Sequence, residues 1–85
     1  KGAVNSMTKA LAREFAKSGI RVNAVSPSLT MTDFAQRQLD RLAPGTLDRV
    51  IARTPSGRVG QADEIAAAIA FLTSNEASFM AGHVM

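Results

Sequence analysis

Few side chains in this chain carry groups suited to chemistry, and those that do stand apart from one another. His83 is the single histidine. It follows Gly82 with no Asp or Cys beside it, and no stretch shows the short Cys/His/Asp/Glu spacings that hold a metal. Cysteine is absent, so neither a thiolate nor a disulfide is available. Tyrosine is absent too, and the glycines form no G-x-x-x-G-x-G phosphate turn after a strand. His83 therefore reads as structural, and no metal is expected. Arg58 lies in a glycine-bounded stretch and reads as a side chain that fixes its own loop, with a phosphate partner as the other reading. Lys9, Arg13 and Lys17 recur at i, i+4 and i+8, a basic stripe on one helix face. The stripe reads as a solvated face; its alternative is a small basic helical module that binds nucleic acid. No aromatic side chain interleaves with these bases, as a single-strand binder requires.

The elements that must position these groups follow from the apolar spacing. Val4, Met7, Leu11 and Phe15 recur at three and four, predicting a helix from the first residues, with Ser18-Gly19 as its stop. Ile20 to Ser26 is predicted as a strand with apolar character on both faces near its end, and Pro27 terminates it. Pro27 to Met31 is expected as loop. Thr32 or Asp33 caps a helix running to about Leu42, broken at Ala43-Pro44-Gly45. Thr46 to Arg53 is a further short helix, and Thr54 to Gly60 a turn-rich loop. Asp63 and Glu64 favour a helix start, and Ile65, Ala68, Ile69 and Leu72 follow at i, i+3, i+4, i+7. Ser74 caps a short turn through Ser78, and Gly82 to Met85 begins a strand. Helix, glycine turn, strand is the αβ half of a βαβ unit.

Bulk properties bound the rest. At 85 residues the chain makes one small domain, of a size that buries only about 60% of the surface its unfolded form exposes. Ten basic and seven acidic residues leave a formal charge of +3. The longest apolar run, Ile65 to Leu72, is far short of the roughly 18 residues that span a bilayer, so no membrane span is expected. Lys1 has neither an initiator methionine nor a helix cap before it, so the chain is expected to start mid-helix, as a truncated piece. Two parallel strands without neighbours cannot cover their own faces and edges, which points the same way.

The order of local motifs carries a resemblance. Lys1-Gly2-Ala3-Val4 with Thr8, Leu11-Ala12 and Glu14 resembles the helix that follows the Tyr-x-x-x-Lys motif in short-chain dehydrogenase/reductases. Ile20-Arg21-Val22-Asn23-Ala24-Val25-Ser26-Pro27 is similar to that family's strand and nicotinamide loop, and Thr32 stands five residues after the proline, where the family has a threonine. Gly57-Arg58-Val59-Gly60, then Asp63-Glu64-Ile65-Ala66 and Phe71-Leu72, resemble the approach to the last helix. Ala77-Ser78-Phe79 and Gly82 resemble the approach to the final strand. Three departures stand out: Ser28 where glycine is usual, Ala81 where threonine is commoner, and an end at Met85 before a Val-Asp-Gly-Gly-like closing segment. A side chain at position 28 either crowds the nicotinamide or points outward.

The resemblance implies an α/β fold: residues 1–85 as the C-terminal portion of one doubly wound, Rossmann-like domain with a parallel sheet. It implies an oxidoreductase that transfers a hydride between NAD or NADP and a carbonyl/alcohol pair, nearest to the 3-oxoacyl-carrier-protein reductase-like members, with sugar, steroid and polyol dehydrogenases sharing the same motifs. Lys1 takes the catalytic role, lowering the pKa of an upstream tyrosine as a nearby opposite charge does, and also binds the cofactor ribose. Pro27, Ser28 and the backbone of Leu29 and Thr30 line the nicotinamide. Thr32 either offers its hydroxyl to the cofactor or caps a helix, and the two roles are compatible. Residues 33–53 form a substrate-facing flap in which Phe34, Leu39 and Leu42 either line an apolar pocket or pack the flap down. The resemblance further implies a cytoplasmic homo-oligomer, dimer or tetramer, with no nucleic-acid or membrane partner. By itself the 85-residue segment is expected to be inactive.

Overall fold

Helix α1 spans Gly2–Phe15 in the computed structural model, which describes residues 2–85. A 3-10 turn, Ala16–Ser18, follows and ends at Gly19, whose φ of 75° is the left-handed conformation that a side chain disfavours. Gly19 N–H donates to Ala16 C=O and Ile20 N–H to Phe15 C=O, closing a Schellman motif on two otherwise unpaired helix carbonyls. The predicted stop thus falls where the glycine allows it. The predicted apolar stripe does not become the buried face. Val4 and Met7 remain half exposed, and α1 buries Thr8 and Ala12 instead. Gly82, at φ 72°, lies against this part of the helix: a Cβ built on it would stand 3.4 Å from Ala12 Cβ and 3.9 Å from Lys9 Cα. Thr8 satisfies its buried hydroxyl by donating to Val4 C=O at 2.7 Å.

The extended stretch after Gly19 pairs in parallel with Gly82 to Met85, but more briefly than a strand over Ile20 to Ser26 implies. Ala24 and Val84 form a single parallel bridge. Around it, Ala24 N–H donates to His83 C=O, Met85 N–H to Ala24 C=O, Ser26 N–H to Met85 C=O and Gly82 N–H to Val22 C=O. In a parallel ladder alternate residues bond to opposite edges. Asn23 and Val25 therefore turn their own N–H and C=O away, to an edge with no backbone partner among the described residues.

Helix α4, Ala62–Thr73, carries Asp63 and Glu64 in its first turn, as the dipole favours. Leu72 is buried and Ile65 and Ala68 are half buried, whereas Ile69 of the predicted face is half exposed. A 3-10 turn, Asn75–Ala77, follows. Ser74 precedes it but does not cap it: its hydroxyl donates back to Phe71 C=O at 2.6 Å.

Two compact units emerge, one of residues up to Ser26 with Ala66–Met85, the other Pro27–Ile65. The second holds α2 (Asp33–Leu39), α3 (Thr46–Arg53) and two short strands, β1 (Thr30–Met31) and β2 (Gly60–Gln61). These strands pair in parallel with Thr30 opposite Gly60 and Met31 opposite Gln61. Both lie in stretches expected as loop, because two residues are too few to show alternation. Helix α2 ends at Leu39 rather than near Leu42. Its last bonds become i to i+3, from Arg41 N–H to Gln38 C=O and Leu42 N–H to Leu39 C=O, and the chain then meets Pro44, which disfavours helix in the residue before it. Helix α3 coincides with its predicted span, entered through Gly45 at φ 84°.

Candidate functional site

The stretch Pro27 to Thr32 is shaped by hydrogen bonds that its own sequence supplies. Thr30 Oγ1 donates to Ser28 C=O at 3.0 Å, and Leu29 C=O accepts from Gly60 N–H at 3.0 Å. Because Gly60 bonds to Leu29 on the paired edge, the parallel register turns the N–H and C=O of Thr30 to the opposite edge. Thr32 is the N-cap of α2: its extended backbone precedes the helix and its Oγ1 accepts from Ala35 N–H at 3.0 Å. The hydroxyl keeps its proton to donate. Ser28, Leu29 and Thr30 form one side of a cleft of about 230 Å³ whose other side includes Pro55, Ser56 and Arg58. Ser28 is exposed.

Arg58 is held as a loop-fixing residue. Its guanidinium forks onto the Glu64 carboxylate at 2.5 and 2.9 Å and also donates to Val59 C=O at 3.1 Å. Glu64 in turn accepts from Gln61 N–H at 2.7 Å, the reach-back half of a capping box at the start of α4. The Arg58 hydrogen bond, then that of Gln61, holds the Glu64 carboxyl down at about 2, and the same carboxylate raises the Arg58 pKa. A carboxyl depressed on folding stabilises the fold above its unfolded pKa and loses that contribution as pH falls through the folded value. The stability advantage of wild type over Glu64→Gln should therefore be flat from pH 5 to 8 and shrink between about 4.5 and 2. Both groups are exposed, so the advantage is small and declines in high salt. A gap that widened on acidification in paired urea titrations would contradict this ion pair.

The other predicted residues scatter. Lys1 lies outside the described residues. Pro27 is exposed at the start of the loop. Phe34, 64% exposed, and Leu39 lie on α2, and Leu42 lies beyond its end; none of the three joins the cleft above. Lys9, Arg13 and Lys17 are all exposed, but Lys17 sits in the 3-10 turn, past the end of the α-helical face that aligns the first two. His83 contributes its backbone N–H to Asn23 Oδ1 at 3.0 Å, and no group of His, Cys, Asp and Glu able to hold a metal occurs among the described residues. None of the described helices is long and apolar enough to cross a membrane.

Two residues escaped the sequence reading. Arg21 and Asn23 look like polar interruptions of a strand, yet in the first unit they border a cleft of about 660 Å³ with Val25, Ile69 and Leu72. The Arg21 guanidinium donates to Leu72 C=O at 2.7 Å, Ala77 C=O at 2.9 Å and Ser74 C=O at 3.1 Å. Asn23 Nδ2 donates to Met80 C=O at 2.9 Å. One signal was available: α4 has no basic residue in its last turn, so a cation from elsewhere was needed to complement that end.

A family profile described as Enoyl-(Acyl carrier protein) reductase matches residues 1–85, the whole sequence. The chain belongs to the short-chain dehydrogenase/reductase family. Among short-chain dehydrogenase/reductases it is 44% identical over 85 residues to a 3alpha-hydroxysteroid dehydrogenase of Mediterraneibacter gnavus, covering all of this chain and 32% of that protein. It is 41% identical over 85 residues to the 3-oxoacyl-(acyl-carrier-protein) reductase FabG of Salmonella typhimurium, covering all of this chain and 33% of that one. A solved short chain dehydrogenase family protein from Francisella tularensis superposes with a TM-score of 0.91 at 34% identity, over 100% of this chain and 38% of the other. The chain thus spans about a third of the length of the curated relatives it matches, and its α/β architecture with parallel pairing is part of the Rossmann-like fold of this family.

Proposed function

We propose that the protein carrying this segment is an NAD- or NADP-dependent oxidoreductase that transfers a hydride between the nicotinamide and a carbonyl/alcohol substrate. The observation that carries the proposal is the stretch Pro27 to Thr32. It presents a fixed N–H and C=O at Thr30, together with a threonine hydroxyl whose oxygen is already oriented by Ala35. A carboxamide needs one acceptor and one donor, and rigid backbone groups provide both without loss of rotamer freedom. These residues fit the nicotinamide end of the cofactor. Pro27, Ser28, Leu29 and Thr30 line it and Thr32 donates its remaining proton to it. The dinucleotide, when bound, supplies or takes up the hydride.

The remaining roles belong to this chain's own side chains. Lys1 places a positive charge beside the tyrosine that protonates the substrate oxygen, and binds the ribose hydroxyls. Phe34, Leu39 and Leu42 belong to the flap of residues 33–53 that faces substrate, and the exposure of Phe34 and Leu42 supports an apolar contact made on closure. Lys9 and Arg13 on α1 and Lys17 in the turn after it are solvated charges. The protein works in the cytoplasm as a homo-oligomer, while the 85-residue segment, which has no tyrosine, is inactive alone.

The test follows the nicotinamide itself. The full-length protein, mixed with NADH or NADPH, should enhance the cofactor's fluorescence and consume it at 340 nm with at least one ketone of a panel. The isolated segment should give no turnover with the same panel. A full-length protein that binds neither cofactor would sink the reading.

A further inference from the structure

We infer that Ser28 and Ser56 form a subsite for hydroxyl groups of the substrate, an inference that deepens the function just proposed and rests on it. Both border the cleft of about 230 Å³ in the second unit, one on each side. The side-chain hydroxyls around this cleft divide into two kinds. Thr30 Oγ1 donates to Ser28 C=O at 3.0 Å and Thr54 Oγ1 to Val50 C=O at 2.9 Å, so both protons are committed within the protein. The hydroxyls of Ser28 and Ser56 make no such bond among the described residues, and both residues are exposed. Position 28 is where the family usually has glycine. Among the described residues only glycines take a positive φ, so Ser28 has an ordinary backbone conformation. Its hydroxyl is an added group, not a strained replacement.

The frame that carries the two hydroxyls is fixed by backbone bonds. Gly57 N–H donates to Thr54 C=O at 2.9 Å and Gly57 takes φ 69°, which closes a tight turn around Ser56. On the other wall Gly60 N–H reaches Leu29 C=O, next to Ser28. Polar groups on a fixed frame orient a ligand at low entropic cost. A serine hydroxyl offers one donor and two lone pairs, the same pattern as an alcohol group of a substrate. An anion fits less well, because the Arg58 guanidinium in this cleft is already neutralised by Glu64. Size argues against a polycyclic or long apolar substrate: 230 Å³ falls below the roughly 300 Å³ at which pockets for drug-sized ligands begin. A short hydroxylated chain suits both the volume and the groups. Ser28 also belongs to the stretch proposed to line the nicotinamide, so the hydroxyls it meets are those near the reacting carbon.

Erythrulose and butanone share a carbon skeleton and a reacting carbon and differ only in hydroxyls. Their kcat/KM ratio in the full-length protein therefore isolates the subsite. Wild type should prefer erythrulose. Ser28→Ala and Ser56→Ala should each lower the erythrulose/butanone ratio about three- to tenfold, the effect of one neutral hydrogen bond. The loss should fall on KM, since a bond to a non-reacting hydroxyl is made equally in the ground and transition states. Ser56→Thr, which keeps the hydroxyl, should retain the ratio. A ratio unchanged in either alanine variant overturns the subsite, as does a wild type that reduces erythrulose no better than butanone. An equal fall for both ketones also overturns it, because the serines then hold the loop and not the substrate. Each of these results leaves the proposed function standing, since cofactor binding is read separately by fluorescence. A wild type that binds neither NADH nor NADPH overturns both.

Discussion

Replacing Lys1 with methionine in the full-length protein is expected to lower kcat/KM by about 10²- to 10⁴-fold, the usual contribution of a positioned proton donor at its proper pKa. An isolated phenol ionises near pH 10. An ammonium a few ångströms away favours the phenolate and pulls that value toward neutrality. On the function proposed above, the phenol would give its proton to the developing alkoxide in the reductive direction, and the phenolate would take one in the oxidative direction. Removing the charge returns the phenol toward its ordinary pKa, so the rising limb of the oxidative pH profile should move to higher pH in Lys1→Met. Lys1→Arg should retain the electrostatic effect and hold the limb close to its wild-type position while losing part of the ribose contact. The readout separates these roles: the pH limb reports the charge, and cofactor KM reports the ribose. A Lys1→Met enzyme with an unshifted limb and near-normal kcat would remove Lys1 from the chemistry.

Arg21→Ala is expected to cost about 2–4 kcal/mol of stability, because hydrogen bonds from a charged group contribute about 1.5–3 kcal/mol and the carbonyls left behind are only partly rehydrated. The loss is concentrated at the end of α4. Ala70 C=O accepts from Thr73 Oγ1 and Phe71 C=O from Ser74, both through local residues. Leu72 C=O, 51 positions from Arg21 in sequence, accepts from the guanidinium. A positive group at a helix C-terminus also complements the dipole, which here has no basic residue of its own. The midpoint of a urea or thermal melt of the full-length protein measures the effect. Arg58→Ala is the control: it too removes a forked guanidinium, but from an exposed, solvent-screened pair, and should shift the midpoint much less than Arg21→Ala. Similar losses for both would mean that burial and helix-end geometry do not distinguish them.

Much of the local structure was legible from residue type alone. Helix α3 begins and ends as its Gly45 entry and apolar spacing require, and α1 stops at Gly19 because no other residue takes that backbone conformation as cheaply. Thr32 caps α2 because a threonine just ahead of a helix can reach its third amide. These are contacts between near neighbours, so their geometry follows from a few residues. The ordered series of short motifs from Lys1 to Gly82 also named the family, which the match over residues 1–85 bears out.

Only the tertiary structure decided which face each element buries and which distant groups meet. The apolar stripe Val4, Met7, Leu11 and Phe15 predicts burial by periodicity, yet α1 buries Thr8 and Ala12, leaves Leu11 half-buried and exposes Val4, Met7 and Phe15. The pairing of Thr30 with Gly60 joins residues 30 positions apart whose strands are too short to show a pattern. Arg21 and Asn23 meet the carbonyls of Leu72 to Met80 across more than 50 positions. A hydrogen bond to a backbone carbonyl asks nothing of the acceptor's side chain, so no spacing or residue type at the far end could announce it.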